Sequence, residues 1–576
     1  MTRPAAWLGK LLLFLVAAGL AYLHVQLAWL AEFALDEFQY AHGGWLAGRG
    51  GTIYVDFFEH HFPLLHQLLG LLWHILDDDP THILTLRMLF LPVFGLVVIA
   101  GCLANRSDDL ANAAAWWTAP VLLSAPTLSA MGTQLRPDVL ALALFFSCLA
   151  LLRSASTQSG RRRAVLAALA GVVAVVALWS TLKVAIYAGT PFLAALVADL
   201  IRRHNTTESD ETPSYFLGHP IAFVAGSGTA AALIGLGLAL SGSVGAWWRW
   251  AVEFSFAHQE VYPGFSWTRN FFQLLDHSAW LLPLAVVGIV ATLRRRPRAA
   301  DVDWLLLAAV PSTAASYVWQ TAPYLYSLIP LTAVLGLFAA RGLAWCWQWA
   351  TRGGSSNRTF AALLFLLLAA GELHRTVDAL RRLRQPGNAS QLQTLTQLGR
   401  MTLPDDAVFS PWAMQVARPS AHFFYFLEAA TKRLEAARLN RELVPALRER
   451  GVTVYYHHPL SERLPAAAWA YLRTHFLPYD QDLWIYGRRY PTIDGRASGD
   501  FFAVQEGTYF VSPPEALGGE QSLHIGGTAL QTPIVALAAG RHRIEYRGGV
   551  PEVSIVWMPR DGQPFRPRPE LIPASQ

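Results

Sequence analysis

A chain of 576 residues that is 53% hydrophobic and only 15% charged, with a mean hydropathy of +0.31, carries too little charge for an ordinary soluble protein of its size; the expectation is a polytopic membrane protein with a soluble region attached. Its formal net charge of +5 comes largely from arginines in short loops between apolar segments, a topology signal that argues against a nucleic-acid surface. Cys102, Cys148 and Cys346 all lie within or beside apolar segments, so no disulfide framework is implied.

A helix needs about 20 apolar residues to cross the hydrocarbon core. Runs of this kind cover residues 8–31, 82–104, 111–128, 138–153, 164–181, 184–201, 220–240, 278–293, 303–319, 323–340 and 358–373, or about eleven spans. The first lacks a clean small-x-small cleavage site before the acidic residues that follow, and reads as a retained span. Arg3 and Lys10, Arg106, Arg153 with Arg161 to Arg163, Arg202 and Arg203, Arg294 to Arg296 with Arg298, and Arg341, Arg352 and Arg358 fall in alternate loops. The positive-inside rule then puts the N-terminus in the cytoplasm. With an odd number of spans, everything after Glu372 lies outside, with the loops around Asp36, Gln134 to Asp138, Trp247 to His277 and Gln320 to Tyr324.

Between the first two spans, Asp36, Glu37, Asp56, Glu59, His60 and His61 are gathered into fewer than 30 residues. Charge beside a bilayer is costly unless it faces water, a partner or a ligand, so this cluster reads as a functional site. Residues 63–76 carry leucines at helical spacing but are too short to span, and are expected to lie along the interface. Asp77 to Asp79 read as a solvated turn. The rings of Trp247, Trp248, Trp250, Phe254, Phe256, Tyr262, Phe265 and Trp267 read as an interfacial belt and would also suit a sugar or a lipid chain. The expected organisation is a membrane domain over 1–373, an extracytoplasmic α/β domain over 374–489 and a small β-sandwich-like domain over 490–576.

Three elements on the outer side could carry chemistry: Asp36-Glu37, Arg136-Pro137-Asp138, and Lys183. Carboxylates can take a proton from a hydroxyl and cations can hold a phosphate. The competing readings are a snorkelling Lys183 and an Arg136 that only anchors topology. Glu59, His60, His61 and His66 do not have a recognised zinc spacing, and adjacent histidines on a helix would point different ways, so no metal ligand is expected among them. No phosphate-cradling or dinucleotide-binding glycine motif is present, which argues against a nucleotide-powered pump.

The run from Asp36-Glu37 through Gly50, Tyr54, Asp56, Phe57, His61, Pro63 and Leu64 resembles the first outer loop of the dolichyl-phosphate-mannose protein mannosyltransferase-like proteins. These are C-type membrane glycosyltransferases, a group that includes the bacterial aminoarabinose transferase of lipid A. LRPDVLALAL, STLKVAIY and PYLYSLIPLTA resemble later motifs of that family; Tyr324 and Pro330 keep the last pattern, while Pro323 stands where an arginine is usual. The resemblance covers residues 1–480. It implies an inverting transferase that moves a sugar from a polyprenyl-phosphate carrier to an acceptor hydroxyl on a lipid, glycan or protein. Asp36 would be the general base and Glu37 its positioning partner. Lys183, Arg136, His61 and Tyr324 would meet the donor phosphate and lipid, and Asp138, Asp56, Glu59 and His60 would position substrate. The residues call for no cofactor and leave only a divalent cation open. Composition points to a bacterial inner membrane, with the C-terminal region periplasmic. A lipid or sugar transporter is the first alternative, disfavoured because the charges sit at span ends and no paired repeats are visible. A non-catalytic glycan-binding envelope protein is the second.

Overall fold

The structure is a computed structural model that describes residues 3–106, 109–205, 216–259, 268–269, 271–272, 280–295, 302–320, 324–352, 359, 381, 387–517, 521–563, 565–566 and 568. The chain divides into two compact units. Met1–Glu32, Glu59–Leu68 and Leu84–Asn388 form the first; Phe33–Phe58, Leu69–Ile83 and Ala389–Gln576 form the second.

The first unit is helical because backbone polar groups in lipid must be satisfied within the segment itself. Among the described residues six helices are long and apolar enough to cross a membrane: Gly9–Leu30, His82–Ala104, Pro137–Ser156, Val184–Ile201, Pro220–Leu240 and Leu325–Arg352. The protein is an integral membrane protein. Helices Asp109–Ser124, Gly160–Leu178, Leu281–Arg294 and Val302–Trp319 stand at four further expected positions but are shorter or more polar. Apart from Thr359, the expected run 358–373 lies outside the described residues, as do Tyr262, Phe265, Trp267 and Pro323.

The apolar window of Leu325–Arg352 is wholly buried, whereas that of Pro220–Leu240 is mostly exposed, with Leu233, Leu236 and Leu240 on its outer face. Two helix pairs meet backbone to backbone through glycine. A Cβ on Gly288 would lie 1.9 Å from Phe338 O and one on Gly342 2.1 Å from Leu284 O; on the other pair, Gly171 would meet Phe223 O at 2.1 Å and Gly226 would meet Ala168 O at 2.0 Å. Small residues let membrane helices pack this closely, where no hydrophobic force separates helix from lipid.

Arg153 and Arg341, read from the sequence as loop charges, are buried. Both pair with Asp303 Oδ1, Arg341 Nη2 at 2.7 Å, and Arg341 also donates to Asn105 Oδ1 at 2.6 Å and Thr292 Oγ1 at 3.1 Å. One carboxylate thus gathers two guanidiniums, because an interior cation left alone would be far costlier than a hydrogen-bonded pair. Arg87 is buried in turn and donates to the carbonyls of Ala28 at 3.3 Å, in the last turn of the first helix, and of Ala31 at 2.6 Å and Glu32 at 3.1 Å just beyond it.

In the second unit, helix Leu35–Gly48 is locked by its own residues. Trp73 Nε1 donates to Ala41 O at 3.1 Å, and Trp45 Nε1 donates to Asp78 Oδ1 at 2.8 Å, with Arg49 also on Asp78. The aspartate run is therefore not merely solvated, since Asp78 ties the helix down. His42 is wholly buried. Its Nδ1 donates to Val416 O at 2.6 Å, and its Nε2 lies 2.8 Å from Ser420 Oγ and 3.1 Å from Gln415 Nε2, which suits a neutral ring protonated at Nδ1.

Among the described residues eleven strands follow: β1 Val408–Phe409, β2 Val454–Tyr456, β3 Phe476–Pro478, β4 Leu483–Pro491, β5 Arg496–Ala503, β6 Gly507–Ser512, β7 Ser522–Ile525, β8 Thr528–Ala529, β9 Ile534–Leu537, β10 Gly540–Arg547 and β11 Glu552–Trp557. Helices Ala429–Leu434 and Ala436–Glu449 lie between β1 and β2. A seven-stranded sheet has the order β1-β2-β4-β11-β6-β9 with β3 also on β4, and a four-stranded sheet has the order β5-β10-β7-β8. Among the described strands only β1 and β2 run parallel. β2 and β3 both pair with Trp484 and Ile485 of β4 and so flank it on opposite sides, and β11 pairs farther along, with Gly487 to Pro491, so a single sheet runs through residues on both sides of position 490.

Candidate active site

The chain around Glu59 is not helical, and a buried carboxylate organises it. Glu59 Oε1 accepts from the backbone N–H of His60 at 2.9 Å and of His61 at 3.0 Å, and from His61 Nδ1 at 2.7 Å. Oε2 lies 2.9 Å from His66 Nε2. Burial alone would push this carboxyl up, but the imidazoles of His66 and His61 outweigh it and hold the group well below the usual range. The expectation that adjacent histidines diverge assumed a helix. With both drawn to one carboxylate, the rings of His60 and His61 come to 4.0 Å between centroids. Ligand atoms of Glu59, His60 and His61 lie within 4.8 Å of one another, the one such group among the described residues that could hold a metal ion.

Arg136 precedes proline and is accordingly extended, with φ −141° and ψ 134°. Pro137 occupies the first helical turn, where its missing N–H costs nothing, and Asp138 follows it at the positive end of the helix dipole. Both charged residues are buried. Lys183 does not run out to the surface as a snorkelling lysine would; its Nζ donates to Asp138 Oδ1 at 2.9 Å. Tyr326 joins the two cations, with the Arg136 guanidinium 4.4 Å and the Lys183 ammonium 4.6 Å from its ring centre. Tyr324 stacks on Tyr326 at 5.3 Å with a 9° tilt. A π-face attracts cations, so the shared ring offsets part of the repulsion between the two.

A pocket of about 320 Å³, lined by His60, His61, Asp138, Lys183, Tyr324 and Tyr326, opens beside this cluster, a size within the range of small-molecule sites. Phe62, Phe256 and Trp319 also line it, and Phe256 and Trp319 are more than half exposed, giving an apolar mouth. Phe256 comes from the aromatic segment of the sequence, whose Trp247 packs on Phe62 at 5.7 Å and Trp179 at 5.9 Å.

Of the expected site residues, His60, His61, Asp138, Lys183 and Tyr324 line the pocket, Arg136 joins them through Tyr326, and Glu59 is buried behind the histidines. Asp36, Glu37 and Asp56 belong to the second unit. There Asp36 is half-buried in the first turn of helix Leu35–Gly48. Glu37 is buried, and its Oε2 accepts from Ala34 N–H at 3.0 Å, capping that helix. Asp56 Oδ2 accepts from Thr52 N–H at 2.6 Å and closes a turn. Tyr326 escaped the sequence reading; its signal was the alternation in Tyr324-Leu325-Tyr326, which places two rings on one side of a short turn.

No protein-family model and no curated protein matches the chain. Among solved structures it is similar to ArnT from Cupriavidus metallidurans bound to undecaprenyl phosphate, at 14% identity and a TM-score of 0.51, over 84% of this chain and 98% of that one. A looser likeness links it to the archaeal oligosaccharyltransferase AglB from Archaeoglobus fulgidus in complex with an inhibitory peptide and a dolichol-phosphate, at 12% identity and a TM-score of 0.46, over 79% of this chain and 70% of that one. The chain shares the fold of ArnT.

Proposed function

We propose that the protein is an inverting glycosyltransferase that moves a sugar from a polyprenyl-phosphate carrier to an acceptor hydroxyl. The observation that carries this reading is the pair of cations, Arg136 and Lys183, held on one tyrosine ring beside a pocket with an apolar mouth. A phosphate needs the cations and a polyprenyl chain needs the mouth. The likeness to a structure bound to undecaprenyl phosphate supports the same donor class.

In this reading the acceptor oxygen attacks the anomeric carbon from the face opposite the phosphate. The carbon–oxygen bond to the phosphate breaks, and its electron pair leaves on the carrier. Lys183 neutralises that charge as a point cation and Arg136 as a two-pronged donor. The acceptor proton passes to a carboxylate, a role we assign to Asp36 from the resemblance of its Asp36-Glu37 motif. His61 and Tyr324 border the donor phosphate, and Asp138 and His60 orient the sugar. Glu59 acts through the histidines it holds. We assign no metal to the reaction. Glu59 Oε1 already accepts three N–H groups and Oε2 faces His66, so a cation would have to break the bonds that shape the turn. We place the reaction on the outer face of a bacterial inner membrane, with the N-terminus cytoplasmic.

The test is incubation of purified protein in nanodiscs with a polyprenyl-phosphate sugar radiolabelled in the sugar. Release of free carrier phosphate with transfer of label to an acceptor is the expected result, insensitive to chelator. Binding without carrier release, by wild type and by Asp36→Asn alike, would point to a non-catalytic binder. Movement of intact donor across the bilayer would point to a transporter.

A further inference from the structure

The outer face of the four-stranded sheet carries an unbalanced row of charge. On β10, Arg541, Arg543, Glu545 and Arg547 are exposed while Ile544 and Tyr546 are buried, and their register partners on β5 are Phe502, Asp500, Ser498 and Arg496. Asp500 answers two of these arginines, lying 3.9 Å from Arg541 and from Arg543. The last row has no acid. Arg547 faces Arg496 on one side and Ser522 of β7 on the other, and among the described residues neither arginine forms an ion pair. Like charges directly opposite each other across strands are destabilising. Here the pair opens on a groove of about 480 Å³ that also takes in Ser498, Ser522 and His524.

The geometry points to a second binding site in this groove, for the phosphate or carboxylate groups of an anionic polysaccharide. Two guanidinium forks across one strand pair match oxyanions, the serines and His524 add hydrogen-bonding groups, and Phe502, 45% exposed on the same face, offers a ring for a sugar. The same face argues against a bilayer as the occupant. A flat anionic headgroup surface would press on Asp500 and Glu545 together with the arginines, whereas a chain in the groove can set its spaced anions at the Arg496 and Arg547 row and pass Glu545, which also lines the groove, with a neutral hydroxyl. The backbone is shaped for this by the hairpin at one end, where Gly526 and Gly527 both take positive φ, 61° and 82°, and turn β7 into β8 in two residues.

The experiment titrates the full-length protein, in nanodiscs of zwitterionic lipid, with polygalacturonate, neutral dextran and inorganic phosphate, and separately mixes it with phosphatidylglycerol vesicles. Polygalacturonate is expected to bind and to raise the unfolding temperature of the second unit, phosphate to compete, and dextran and vesicles not to bind. The double variant Arg496→Ser/Arg547→Ser is expected to bind the polymer at least tenfold more weakly while melting no lower than wild type without it, since the substitution relieves repulsion. The control Arg568→Ser is expected to bind as wild type. Unchanged affinity in the double variant, equal weakening in the control, or vesicle binding as strong as polymer binding would each overturn the proposal.

Discussion

Lys183 reaches back 45 residues in sequence to donate to Asp138 at 2.9 Å, so the cation proposed to meet the carrier phosphate is positioned by a carboxylate in the first turn of another helix. A charge-assisted hydrogen bond is worth about 1.5–3 kcal/mol, which converts to roughly 10- to 150-fold in kcat/KM. Lys183→Met should therefore lower kcat/KM for the lipid donor by about that factor. Asp138→Asn should cost less, and the double variant no more than Lys183→Met alone, because both act through one contact. Steady-state kinetics on the three variants checks this; additive losses would mean that Asp138 has a separate role.

Tyr326 gives the cleanest test of the shared ring. Each cation–π contact at a partly exposed site is worth about 0.5–1 kcal/mol, so losing both in Tyr326→Leu should weaken donor binding by about 5- to 30-fold, while Tyr326→Phe keeps the ring and most of the affinity. Donor titration by quenching of the pocket tryptophans measures both.

Asp36 and Glu37 are adjacent but should fail differently. Asp36→Asn should abolish transfer and leave the melting temperature unchanged. Glu37→Ala removes a helix cap that accepts from Ala34 N–H and should cost about 1 kcal/mol of stability. Parallel melting curves and transfer assays separate the two; an active Asp36→Asn variant would remove the base assignment.

His42 supplies a pH dependence with a definite sign. Burial pushes its imidazole from 6.5 down to about 4, only partly opposed by its bond to Val416. Between those values the unfolded chain binds the proton and the folded chain does not, so stability rises with pH across this window and is complete above about pH 6.5. A shift from 6.5 to about 4 in a wholly buried group corresponds to roughly 3 kcal/mol lost on acidification. His42→Gln should be less stable at neutral pH and should show a flatter denaturation profile between pH 6.5 and 4.

Much of this was legible in the sequence. The apolar runs mark helices because lipid leaves the backbone no other choice, and the charged motifs at Arg136, Asp138 and Lys183 announced a cluster through their placement at span ends. Position along the chain does not report burial, however, and Arg153 and Arg341 read as loop charges until Asp303 is seen to gather them. Nor does local pattern show that His42 bonds Val416, 374 residues later, or that β4 and β11 pair. Both depend on contacts between distant segments. Tyr326 was missed for a related reason, since a ring between two cations looks in sequence like any aromatic beside a span.

The close helix crossings at Gly171, Gly226, Gly288 and Gly342 bear on inheritance as well as packing. Every missense change available to a glycine codon introduces at least a Cβ, and at these positions that atom would fall 1.9–2.1 Å from a carbonyl oxygen of the neighbouring backbone. The four codons should therefore stay frozen for as long as the lineage keeps this bundle, even where the lipid-facing leucines around them drift freely.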